Sequence, residues 1–172
     1  MSAVVKAIEK KDLIVVSASI TRPANTTVYT TGDAVSEVTT NNYFTFTRAL
    51  KAGTRHGKIL RAHLTSVANG IAGGMDCSLW LFHTVIAETA DNANWAPTDA
   101  EIVTRIGKID FPAASWNIRA INANCDVAVD LPFQRGALVS SEVTLFGQLV
   151  VNSAYTPVSG EIITAELVIS QW

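Results

Sequence analysis

The chain has 172 residues, a length that suits one domain of sandwich size. Hydrophobic residues make up 48% and charged residues only 16%, with a formal net charge of -2. That is ample material for a core and little charge for a fully solvated surface, and it argues against nucleic-acid binding through a basic face, because the longest basic run is Lys10-Lys11. The apolar stretches are too short to span a bilayer, so no membrane is expected. Met1 to Lys6 lacks the basic start and long apolar run of a secretory signal, which predicts a protein made and kept in a cytoplasm. Two cysteines, Cys77 and Cys125, are too few for a disulfide framework and read as buried free thiols.

Taken in order, residues 1–11 read as an N-terminal arm and 12–172 as a single β-sandwich domain. Asp12 to Thr21 alternates as a strand, with Ile14, Val16, Ala18 and Ile20 on one face, and Arg22-Pro23 ends it. Thr31-Gly32-Asp33 and Asn41-Asn42 are turn signals, and Tyr43 to Thr47 is a strand by composition. His56 to Val67 is the next strand, predicted to place Leu60, Ala62 and Leu64 on one side and Ile59, Arg61 and His63 on the other. Cys77 to Ala87 is apolar on both alternating faces: Leu79, Leu81 and Val85 against Trp80, Phe82 and Ile86. This stretch is expected to be the central strand, one face in the inter-sheet core and the other under a further layer of its own chain or another subunit.

Thr98-Asp99-Ala100-Glu101 fits a capping box and predicts a helix of about two turns, roughly 99–106, ending at Gly107 and plugging the end of the sandwich. Lys108 to Phe111 is a short strand. Cys125, Val127, Val129 and Leu131 alternate with Asp126, Ala128 and Asp130 up to Pro132. Glu142 to Val151 is a strong strand, and Ile162 to Ile169 closes the chain with Ile163, Ala165, Leu167 and Ile169 inward. Roughly eight to ten short strands and one short helix make an all-β, jelly-roll-like β-sandwich the expected fold. Spacing alone does not separate a jelly roll from other Greek-key orders.

The residues that carry chemistry form no familiar site. His56, His63 and His83 show no metal-ligand spacing, and the aspartates lack a calcium-loop pattern. Gly70-Ile71-Ala72-Gly73-Gly74 is followed by neither a lysine nor a helix pattern, so it is no phosphate loop. Asp126 and Asp130 share a strand face that reads as solvent. No catalytic, cofactor-binding or metal-ligating residue is expected. Trp95 and Trp116 fall in loop-like context, where they suit either an interface or a flat sugar-binding platform.

Three segments in order resemble a family of tailed-bacteriophage capsid decoration, or cement, proteins. They are Ser19-Ile20-Thr21-Arg22-Pro23-Ala24-Asn25-Thr26-Thr27-Val28-Tyr29-Thr30-Thr31-Gly32-Asp33-Ala34-Val35; Leu79-Trp80-Leu81-Phe82 with Asp91-Asn92-Ala93-Asn94-Trp95, Thr98-Asp99-Ala100-Glu101 and Gly107-Lys108-Ile109-Asp110-Phe111; and Ala154-Tyr155-Thr156-Pro157-Val158-Ser159-Gly160-Glu161. The resemblance implies a jelly-roll structural virion protein, assembled in the host cytoplasm, that binds the outer surface of the capsid through the major capsid protein, commonly as a homotrimer. It identifies no site residue. The expected contact residues are Val4, Val5 and Ile8 of the arm, which can add a strand to a neighbour's sheet edge, together with Arg22, Trp95, Trp116 and Tyr155. The alternative is a carbohydrate-binding or host-adhesion module of the virion that uses Trp95 and Trp116; a hydrolase assembled from distant loops is a third reading.

Overall fold

A computed structural model describes residues 12–37, 42–67, 74–119, 122–134 and 141–172. The arm residues Val4, Val5 and Ile8 lie outside these described residues. Ten strands are present: β1 (Asp12–Thr21), β2 (Ala34–Val35), β3 (Phe44–Leu50), β4 (His56–Val67), β5 (Cys77–Phe82), β6 (Arg105–Phe111), β7 (Trp116–Ile118), β8 (Asn122–Gln134), β9 (Val143–Val151) and β10 (Ile162–Gln171). One sheet has the order β1-β10-β4-β8-β7; the other has the order β2-β9-β5-β6, with β3 also pairing β9.

The pairings define the topology. β1 pairs β10, β3 pairs β9, β4 pairs β8 and β5 pairs β6, all antiparallel. Setting aside the short β2 and β7, the first four long strands pair with the last four in reverse order. A long hairpin wound in this way into two stacked sheets is a jelly roll. Inward side chains of both sheets meet in one core, with Ile20, Leu64, Ala165, Leu167 and Ile169 facing Phe46, Leu79, Leu81, Leu145 and Leu149. β1 and β10 face inward as their alternation predicts, and Ile163, Ala165, Leu167 and Ile169 are all buried.

β5 is central, flanked by β6 and β9, but it ends at Phe82 and not at Ala87. Its inner face is Cys77, Leu79 and Leu81. Its outer face is covered by its own chain: Phe82 and Ile86 pack with Tyr43, and Trp80, Trp95 and Phe146 close over them. Beyond Phe82 the chain bends away from the sheet, so Val85 stands exposed rather than beside Leu81.

Three further expectations are corrected. In β4 the inward residues are Ile59, Ala62 and Leu64, while Leu60 faces out. A bulge between Ile59 and Arg61 adds one residue relative to β10 and flips the side-chain alternation there. β8 does not stop at Pro132 but runs to Gln134. β7 covers only Ala123, Asn124 and Cys125 of β8, so Pro132 lies on the unpaired part of that edge, where its missing N–H costs no ladder bond. The capping box forms, with Glu101 N–H donating to Thr98 Oγ1 at 3.3 Å and Thr98 N–H donating to Glu101 Oε2 at 2.7 Å. The helix, α1 (Asp99–Ile102), lasts one turn only, and none of its residues is buried. Thr104 donates both its N–H and its hydroxyl to the Glu101 carbonyl, which closes the turn and starts β6. Val103 is 83% exposed, so this turn plugs nothing. Gly107 caps no helix; it lies in β6, where a Cβ would stand 2.7 Å from Leu131 Cδ1 of the facing sheet.

Candidate functional site

The three resemblance segments converge at one end of the sandwich in a buried polar lock. Arg22 follows the last residue of β1 and is 1% exposed. Its Nη2 donates to Asp91 Oδ2 at 2.9 Å, its Nη1 to the Val158 carbonyl at 3.3 Å, and its Nε to Tyr29 Oη. The Tyr29 hydroxyl in turn donates to Asp91 Oδ1, which also accepts the Ser36 N–H at 3.0 Å. Tyr29 stacks on Tyr155, centroids 6.3 Å apart, and the two residues bridge through their backbones. The Tyr155 hydroxyl donates to Glu161 Oε1 at 3.0 Å, and Ser66 donates to the same oxygen.

The lock holds one cation, Arg22, and two carboxylates, Asp91 and Glu161. Burial, followed by the Asp91 carboxylate, pushes the Tyr29 phenol far up; burial, followed by Glu161, does the same for Tyr155. Burial alone would lower Arg22, but Tyr29 and Asp91 outweigh it and keep the guanidinium charged. The lock ties the β1 exit, the loop after β5 and the loop between β9 and β10 into one unit. Arg22 and Tyr155 therefore face the interior of their own subunit, not a partner. Both were expected as contact residues; inside the fold the acid that holds Arg22 is Asp91 and the acid that holds Tyr155 is Glu161.

The tryptophans separate. Trp116 opens β7 and is buried, with its Nε1–H donating to the Met75 carbonyl at 2.8 Å. Trp95 lies half-buried on the outer face of the other sheet, 5.1 Å from Trp80 and 6.1 Å from Phe82. The expected platform of Trp95 with Trp116 does not form. The half-buried aromatic pair is Trp80 and Trp95, with Arg105 lying 5.2 Å from the Trp80 ring centre.

The outward face of the first sheet carries the exposed polar groups. Asp126 Oδ1 accepts from Arg61 Nε at 2.8 Å and lies 2.8 Å from His63 Nδ1, and His63 Nε2 lies 2.8 Å from Thr65 Oγ1. Partial burial pushes Asp126 up, but the hydrogen bonds of His63 and Arg61 prevail and hold it low. Asp130 pairs with Lys58 at 2.5 Å, so the two carboxylates of β8 each have a separate cation. Acid, imidazole and hydroxyl thus stand in relay order, an arrangement sequence spacing did not reveal because β4 and β8 meet only in the fold. Thr65 lies in β4, which is paired on both sides by β10 and β8. Its neighbouring amides are engaged in ladders, leaving no pair of donors aimed at a developing oxyanion.

Other chemistry finds little support. Cys77 is fully buried and its thiol is pushed well up, first by burial, so it is no nucleophile. His63 lies on the outward face of β4 and Cys77 in the core between the sheets, so the two form no nucleophile pair. Among the described residues no cluster of three or more His, Cys, Asp or Glu is placed to hold a metal, and no helix is long and apolar enough to cross a membrane.

Exposed apolar side chains are spread over the described surface, with Val85 62% and Val103 83% exposed at the β5–β6 end and a second pair on β1. Leu13 and Val15 are 64% and 60% exposed, Val15 pairs across to Val168, and the bulge turns Leu60 out from the neighbouring strand β4.

The strand pairing defines the class: an all-β jelly-roll sandwich. No family model matches the chain, and no curated protein matches it. Solved structures match only at low similarity. A chain of Desmodium yellow mottle tymovirus is 12% identical with a TM-score of 0.31, over 99% of this chain and 93% of that one. Turnip yellow mosaic virus gives 11% and 0.29, over 94% and 93%. The Clostridium thermocellum xylanase 10B CBM22-1-GH10 modules give 12% and 0.26, over 91% of this chain but only 26% of that one. Likenesses at these scores carry no argument about function; the fold rests on the pairing of the strands.

Proposed function

We propose that this chain is a structural virion protein: a decoration or cement protein that binds the outer surface of a tailed-phage capsid, contacts the major capsid protein and stabilises the lattice as a homotrimer. The observation that carries the reading is the polar lock. Three segments that resemble the decoration family, distant in sequence, supply Arg22, Tyr29, Asp91, Tyr155 and Glu161 to one buried network. They are parts of a single structural unit and not three scattered matches. A bridging protein needs a rigid body and several attachment points, since multivalency turns weak contacts into firm attachment. It needs no reaction centre, and the engaged amides around Thr65 favour a protein without catalytic activity.

The test is co-sedimentation with purified, mature phage heads that lack the protein, together with the melting temperature of those heads. Saturable binding to the head exterior and a raised melting temperature are expected. Heads that neither bind it nor gain stability would remove the proposal. The carbohydrate reading keeps one specific support, the half-buried Trp80–Trp95 pair. It predicts a glycan-array signal that is lost in Trp95→Ala and unaffected by changes at the buried Trp116.

A further inference from the structure

Each free sheet edge in the described structure is blunted except one. β2 is two residues long and β7 three. β3 is interrupted by a register shift, with Arg48 at φ 61°. β6 carries Arg105, Lys108 and Asp110. The part of β8 beyond β7 carries Asp126, Asp130 and Pro132. Short length, irregularity, charge and proline are the usual means of keeping an edge from pairing with another chain. β1 carries a charge only at its first residue, Asp12, which pairs with Lys51 at 3.0 Å. From Leu13 to Thr21 it carries no charge and no proline, and its register with β10 is unbroken over all ten residues. β10 is its only ladder partner among the described residues, which leaves the other edge of Leu13 to Thr21, roughly 31 Å long, outside any ladder beside the exposed Leu13 and Val15.

The occupant follows from what precedes β1. Residues 4–8, Val-Val-Lys-Ala-Ile, are rich in strand-forming side chains and connect to β1 through Glu9-Lys10-Lys11. That link contains no Gly, Asn, Asp or Pro, and Asp12 is already in register with Gln171. A tight hairpin back onto the same β1 favours those turn residues, so their absence weighs against it. We propose that residues 4–8 of one copy add a strand to the free β1 edge of a second copy. Such an exchange is head-to-tail, so it closes into a ring when the rotation between copies permits. It deepens the decoration-protein reading by naming how copies join, but it does not depend on a capsid being the target.

The full chain examined by analytical ultracentrifugation at micromolar concentration is expected to sediment as an assembly of several copies. Val5→Pro with Lys6→Pro removes one backbone donor on each side of the arm, whichever side pairs. This variant is expected to fall to the mass of one chain with an unchanged circular dichroism spectrum, because the sandwich is untouched. Val15→Lys, at an exposed position on the acceptor edge, is expected to raise the half-assembly concentration at least tenfold. A wild-type chain that sediments as one copy overturns the exchange, as does a double-proline variant that keeps the full assembly. Head attachment is judged separately: a single-copy protein that still decorates heads defeats the exchange alone, and an assembly that ignores heads defeats the capsid role alone.

Discussion

Taking the Arg22 guanidinium out of water costs several kcal/mol, and it is offset only because Asp91, Tyr29 and the Val158 carbonyl are all in place. Removing one partner is therefore worse than removing both. Asp91→Ala is expected to lower unfolding stability by about 3–5 kcal/mol, since it leaves a buried cation unpaired. Arg22→Met combined with Asp91→Leu is expected to cost less than the single change. Urea unfolding of both variants measures this; a single-variant loss below about 1 kcal/mol would show that the pair is wetter than its burial indicates. Arg22 was legible as important but not as internal. An arginine before a proline at a strand end reads locally as surface, and the residue that takes it inside lies 69 positions away. Trp116 misleads for the same reason: its partner, the Met75 carbonyl, is 41 positions back.

Among the elements, the bounds of β1 and β4 were legible to the residue, from alternation together with the Arg22-Pro23 stop after β1. What alternation cannot carry is an inserted residue. The bulge at Leu60 is required by both neighbours at once, with one residue fewer on β10 and one more on β8 between the same two β4 positions. Helix length was overstated because Val103 and Ile106 fit helical spacing, whereas the carbonyl that would extend the helix is already taken by Thr104. Glycines show the same dependence on facing elements. A Cβ on Gly74 would stand 2.4 Å from the Ala113 backbone oxygen and 2.9 Å from Trp116 Cβ, whereas on Gly107 the nearest atom is the mobile end of Leu131 at 2.7 Å. Gly74→Ala must displace backbone and is expected to cost about 1–3 kcal/mol. Gly107→Ala is expected to cost less, since a leucine rotamer can give way. Chemical denaturation of the two variants side by side checks the order, and an equal or reversed cost would contradict it.

For the molecule as a whole, the question is whether the two sheets come apart together. Cys77 lies in β5 of one sheet and Cys125 in β8 of the other, and both thiols belong to the single core between them. Burial pushes both thiols up, so neither reacts readily while the sandwich is closed. If the core opens only as a unit, both cysteines become available in the same event, and their labelling rates reflect one opening free energy. Labelling with a thiol reagent in native buffer is therefore expected to modify Cys77 and Cys125 at the same slow rate, read by peptide mass. In Asp91→Ala both rates are expected to rise together, by about a hundredfold for each 3 kcal/mol lost, because 1.4 kcal/mol is a factor of ten in the open population. Fast labelling of Cys125 with Cys77 still protected would mean that the β7–β8 edge, where Trp116 lies over Cys125, opens on its own. The lock would then govern only part of the sandwich, and the rigid body that a bridging role requires would be lost.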